Sequence, residues 1–204
     1  MAKFKNTYRI GSHRRPNWDY SSDGLYFITL VTQNRICNLG EIIDANMQLS
    51  DFGNIVKAEW LQSFEIRSEL FCDEYIIMPN HLHAILEINR FVKTDGVAEP
   101  PHVKPPDSVS VNPIKRNMPT RLPKSISSFI AGFKSSVNTK IDDYIDLHQL
   151  DIPKYNRKNP FFQPNYHDHI IRNENEYLRI KEYIKNNPYQ WTIDKLNQSK
   201  TSKP

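Results

Sequence analysis

The sequence predicts an α+β domain, an antiparallel β-sheet with helices packed on one face. Two runs, 25–32 and 74–88, are rich in β-branched and aromatic residues and read as strands. Two others, 51–64 and 125–145, repeat apolar residues at helical spacing. The resulting order of strands, helix, strand hairpin, helix and helix is that of antiparallel strands with helices laid against them.

The first strand is Leu25-Tyr26-Phe27-Ile28-Thr29-Leu30-Val31-Thr32, entered through the turn signal Asp23-Gly24. Ile42-Ile43 and Met47-Gln48-Leu49 flank Asp44-Ala45-Asn46 and predict a short hairpin. Ser50 or Asp51 caps the helix that follows, whose stripe is Val56, Trp60 and Phe64. Glu74 to Met78 is a strand, Pro79-Asn80 a tight turn, and His81 to Ile88 the returning strand. The longest helix runs from Ser125 to Ile145 on Ile126, Phe129, Ile130, Phe133, Val137, Ile141 and Ile145. Tyr166 to Arg172 forms a short strand or turn. Asn173 then caps a last helix from Glu174 to Asn186, which Pro188 stops.

These elements make one domain, 23–192, preceded by a basic arm, 1–22, and followed by a polar, frayed tail, 193–204. Seven prolines and little apolar periodicity mark about 90–124 as a flexible insertion. The net charge of +4 permits nucleic-acid binding without requiring it. Lys3, Lys5, Arg9, His13, Arg14 and Arg15 give the arm a phosphate-binding character, though the same charges suit a solvated tail. Cys37 and Cys72 stand far apart, which argues against a disulfide framework or a cysteine zinc site. No apolar run has the length of a membrane span or the form of a signal peptide, so the expected location is cytoplasmic.

The chemistry starts at His81-Leu82-His83. On a strand, period-2 geometry turns both imidazoles to one face and Leu82 and Ala84 to the other. Two neutral imidazoles can hold a divalent metal, and two half-buried polar residues on a strand give the same pattern. Asp73 and Glu74 on the facing strand make the neighbourhood polar. On the last helix Tyr183 and Asn187 are four apart, hence on one face. A tyrosine hydroxyl is a poor nucleophile near its reference pKa of about 10 and needs activation. His167 and His169, with Tyr166 and Asp168 interleaved, are a second pair with the same spacing, open to metal binding, substrate contact or sheet-edge packing.

With these residues in place the chain resembles the REP-associated tyrosine transposases, a branch of the HUH single-tyrosine nucleases. The matching blocks are Gly24-Leu25-Tyr26-Phe27-Ile28-Thr29 with Thr32-Gln33-Asn34-Arg35, then MPNHLHAIL at 78–86, Gly132-Phe133-Lys134-Ser135, the run from Asn165 to Ile184, and Asn187-Pro188. They cover most of the chain outside the insertion and tail. The resemblance implies the ferredoxin-like HUH nuclease fold, with Mg²⁺ or Mn²⁺ held by His81 and His83 and the shell completed by Asn187. It also implies Tyr183 as the nucleophile that cleaves and rejoins single-stranded or hairpin DNA of palindromic repeats through a 5′-phosphotyrosine. A monomer and a homodimer both fit. Arg14, Arg15, Lys134, Tyr166 and Arg172 are the expected DNA contacts, with Phe161 and Phe162 either stacking on bases or filling the core. The alternatives are a non-catalytic binder of structured DNA repeats and a metal phosphoesterase that uses the histidine pair.

Overall fold

The computed structural model describes residues 19–89 and 124–197, together with the backbone of two short paired strands, β1 (Lys3–Phe4) and β2 (Thr7–Tyr8). Arg14, Arg15, the insertion up to residue 123 and the chain beyond 197 lie outside the described residues.

The elements follow as β3 (Gly24–Val31), β4 (Gly40–Ile43), β5 (Asn46–Leu49), α1 (Asp51–Glu65), β6 (Leu70–Met78), β7 (His81–Ile88), α2 (Ile126–Leu147), β8 (His167–Ile171) and α3 (Glu174–Lys185). The β4–β5 hairpin turns on Asp44 and Ala45, both at positive φ, the backbone that a two-residue hairpin of this hand requires. Ser50 caps α1 by accepting from the Gly53 amide. Gly53 is needed there because a Cβ would lie 2.0 Å from the Leu39 carbonyl oxygen. Ser125 and Ser128 close a capping box at the start of α2, and Asn173 caps α3.

The main sheet is antiparallel in the order β6-β7-β3-β8. One face carries Tyr26, Ile28 and Leu30 of β3 with Leu82, Ala84 and Leu86 of β7. It packs on α1 and α2 through Val56, Trp60, Phe129 and Phe133. Trp60 meets Phe64, Phe129 and Phe133 edge-on at centroid distances of 5.2–5.5 Å, which locks the two helices together.

The α+β class and the antiparallel sheet agree with the sequence, but the helices do not share a face. α3 lies on the opposite side, where Ile180 and Ile184 pack on Ile85, Ile171, Ile76 and Phe27. The reason is visible in β7. Ile85 and the two histidines alternate with Leu82, Ala84 and Leu86, so the second face has an apolar half that a further helix must cover. β6 also starts four residues earlier than expected and contains a bulge between Cys72 and Glu74. Among the described residues no helix is long and apolar enough to cross a membrane.

Candidate active site

β7 is an inner strand, so its side chains are held from both sides. His81 and His83 are both buried, with ring centroids 4.5 Å apart, on the face that α3 covers. The register places His83 between Ile76 of β6 and Thr29 of β3. Thr29 Oγ1 lies 2.8 Å from His83 Nδ1, and the Phe27 ring stacks on His83 at 5.3 Å.

His81 is oriented by its own neighbour. Asn80 Nδ2 donates to the Arg35 and Leu196 carbonyls, so its Oδ1 is the atom facing the imidazole. His81 Nδ1 therefore carries the proton and donates to that Oδ1 at 2.8 Å. The lone pair is left on Nε2, which is buried and has no hydrogen-bond partner. Burial pushes the His81 pKa down to about 4, against weaker upward pulls from Asp194 and Asn187. Burial, aided by His81 and His167, also holds His83 well below the ordinary range. Both rings are neutral near pH 7, the state a metal ligand needs.

α3 and the residues just after it supply the other side. Tyr183 is 39% exposed, and its hydroxyl lies 3.2 Å from His83 Nε2. Burial raises the Tyr183 pKa, with Asn187 lowering it and Asp194 raising it. Asn187 is 1% exposed, yet neither Oδ1 nor Nδ2 has a hydrogen-bond partner of good geometry. An amide so buried costs about 1–3 kcal/mol unless something satisfies it. Two imidazole nitrogens and an amide oxygen therefore converge from a strand and from the end of a helix in one chain. The donor set fits a hard-to-borderline divalent ion such as Mn²⁺ or Mg²⁺. Among the described residues no cluster of three His, Cys, Asp or Glu offers a competing metal site.

No family model matches the sequence. An uncharacterised protein of Haemophilus influenzae is 35% identical over 204 residues, covering 93% of this chain and 96% of that protein. The chain belongs to its family. A solved REP-associated tyrosine transposase bound to a REP hairpin superposes with a TM-score of 0.51 at 17% identity, over 91% of this chain and 77% of that one. The fold is that of the tyrosine transposase.

Within this transposase fold the expected site residues separate. His81, His83, Tyr183 and Asn187 meet. His169 instead faces α3, with Nε2 2.8 Å from Glu176 Oε1, and ties β8 to the helix start. Tyr166 leans on the α1–α2 core with its hydroxyl 3.2 Å from Ser127 Oγ, away from the histidine pair. Lys134 Nζ is drawn onto the Gln163, Pro164 and Asn165 carbonyls, and Arg172 is exposed beside the α3 cap. Phe161 and Phe162 are core residues rather than stacking platforms. Asp73 and Glu74 do not line the site either. They pair with Lys181 and Lys185 and anchor α3.

Four contributors escaped the sequence reading. Thr29 and Phe27 could have been found by carrying the strand alternation from His83 across to β3. Asn80 had passed as a turn residue only. Trp191 and the first residues of the expected frayed tail, up to 197, in fact pack beside the site; the tail beyond 197 lies outside the described residues. Trp191 lies 6.0 Å from the His81 ring, Leu196 meets Asn80, and Arg35 Nη1 reaches the Lys195 carbonyl.

Proposed function

We propose that this protein is a metal-dependent single-stranded DNA nicking and joining enzyme that acts on hairpin DNA through Tyr183. The observation that carries the proposal is the Tyr183 hydroxyl 3.2 Å from His83 Nε2, beside the unpartnered His81 Nε2 and Asn187 amide. The solved structural neighbour, a tyrosine transposase bound to a REP hairpin, supports the same class of substrate.

His81, His83 and Asn187 would hold one Mg²⁺ or Mn²⁺. Such an ion supplies charge neutralisation at a phosphate oxygen and lowers the cost of forming a phenolate nearby. In the tautomer whose Nδ1 donates to Thr29 Oγ1, the His83 Nε2 lone pair that faces Tyr183 is the one a metal needs. With that lone pair taken up by a metal, the Tyr183 hydroxyl would be left free for substrate. Its partial exposure lets an extended strand reach it from solvent. Tyr183 Oη attacks phosphorus, the bond to the 3′ oxygen breaks, and the hydroxyl-terminated strand leaves. The protein keeps the other strand as a 5′-phosphotyrosine. One ester replaces another, so the reverse attack by a 3′-hydroxyl rejoins DNA without an outside energy source. The buried, fixed rings of His81 and His83 need little reorganisation as this happens.

The test is covalent capture of a labelled hairpin with a single-stranded tail in Mn²⁺, read on a denaturing gel. The native protein forms the adduct. Tyr183→Phe binds the hairpin and forms none. Full cleavage by Tyr183→Phe would exclude the proposal, and binding without cleavage by the native protein would favour a DNA-binding role.

A further inference from the structure

The second histidine pair has one member that the fold does not use. His169 is engaged by Glu176, but His167 has no hydrogen-bond or ion-pair partner among the described residues and is exposed. Its position is informative. The register pairs Thr29 with His83 on one side and with His167 on the other, so Ile76, His83, Thr29 and His167 form one row across all four strands. Cα partners in antiparallel strands point to the same face, and His167 thus shares the face of the site. The Phe27 ring sits among the three groups. It stacks on His83, and its edges meet Tyr183 at 6.2 Å and His167 at 6.5 Å.

His167 is not a plausible ligand of the same ion. β3 lies between β7 and β8, so two strand spacings, roughly 10 Å, separate the His167 and His83 backbones. What it offers is an imidazole N–H at the open margin of the site, on the β8 side of Tyr183. Phe27 keeps it apart from the metal-binding rings, and α3 leaves it uncovered.

Resting on the nuclease reading above, we propose that His167 is a substrate-positioning residue that donates a hydrogen bond to a backbone phosphate next to the one Tyr183 attacks. The role explains why the two histidines of one motif differ so sharply. His169 holds the helix that carries Tyr183, and His167 holds the strand that Tyr183 must reach.

The experiment measures metal-free binding of a fluorescein-labelled DNA hairpin with a single-stranded tail, replacing the tail phosphates one at a time by neutral methylphosphonates. In the native protein one replacement near the attacked phosphate weakens binding about tenfold, the scale of a hydrogen bond to a charged group. In His167→Ala binding is weaker by a similar factor and the penalty at that position disappears. His167→Asn, which keeps an N–H donor, restores part of it. Equal methylphosphonate penalties in the native protein and His167→Ala overturn the assignment of His167 alone. Failure of the native protein to bind the hairpin overturns the nuclease reading as well. Matching thermal midpoints establish that all variants are folded.

Discussion

The chain contains the same three-residue pattern twice, and the two copies have different fates. His81 and His83 lie on an inner strand with neighbours on both sides, one face under a helix and Nδ1 of each ring engaged. His167 and His169 lie on an edge strand, where one ring is tied to a carboxylate and the other faces solvent. Spacing alone brings two imidazoles to one face in both places. What separates them is how far each ring is buried, which nitrogen is left unpaired, and what approaches from α3.

The largest effect that would sharpen this contrast is on metal binding. His83→Ala should abolish Mn²⁺ binding in calorimetry and reduce cleavage by about a thousandfold, whereas His169→Ala should leave Mn²⁺ affinity unchanged. Equal losses from both substitutions would break the distinction.

A smaller effect is expected one contact further out. Asn80→Ala frees the His81 ring to turn and to change tautomer, and should weaken Mn²⁺ by roughly 10–100-fold. An unchanged dissociation constant would mean that packing alone orients His81.

The smallest effect is on stability against pH. His81 has its folded pKa lowered to about 4 from 6.5. Between those values the unfolded chain binds more protons than the folded one, so protonation favours unfolding. Stability should be fully present above pH 6.5 and fall as pH drops toward 4, read from urea midpoints. His81→Gln should reduce that slope, the rest coming from His83, whose pKa burial also lowers, and an undiminished slope in the variant would locate its source elsewhere.

Much of this architecture could be read from residue order. β7 was legible to the residue, because Pro79-Asn80 marks the turn and the alternation of histidine with Leu82 and Ala84 fixes the register. α2 was legible from its apolar stripe, while its Ser125–Ser128 capping box was seen only in the fold. The side on which α3 docks was not, since a stripe of Ile180 and Ile184 states that the helix packs but not on which face of a sheet. Within the site the histidines, Tyr183 and Asn187 were found through spacing and resemblance. Thr29, Phe27 and the segment from Trp191 were missed because they come to the histidines through pairing and packing between distant stretches of chain, which local periodicity does not encode. Lys134 and Tyr166 looked suited to DNA as residue types, yet carbonyls and a serine in the fold already engage them.

The β6 bulge bears on where Tyr183 points. In an unbroken strand Asp73 and Glu74 would face opposite ways. With the ladder shifted between Cys72 and Glu74, both carboxylates reach α3, Asp73 to Lys181 and Glu74 to Lys185, one helical turn apart. Two grips on the same side of a helix fix its rotation about its own axis. Successive helical positions differ by about 100°, so with Lys181 and Lys185 clamped toward β6, Tyr183 is swung the other way, over His83 of β7 and Phe27 of β3. An irregularity in an edge strand thereby acts as the indexing stop that aims the tyrosine.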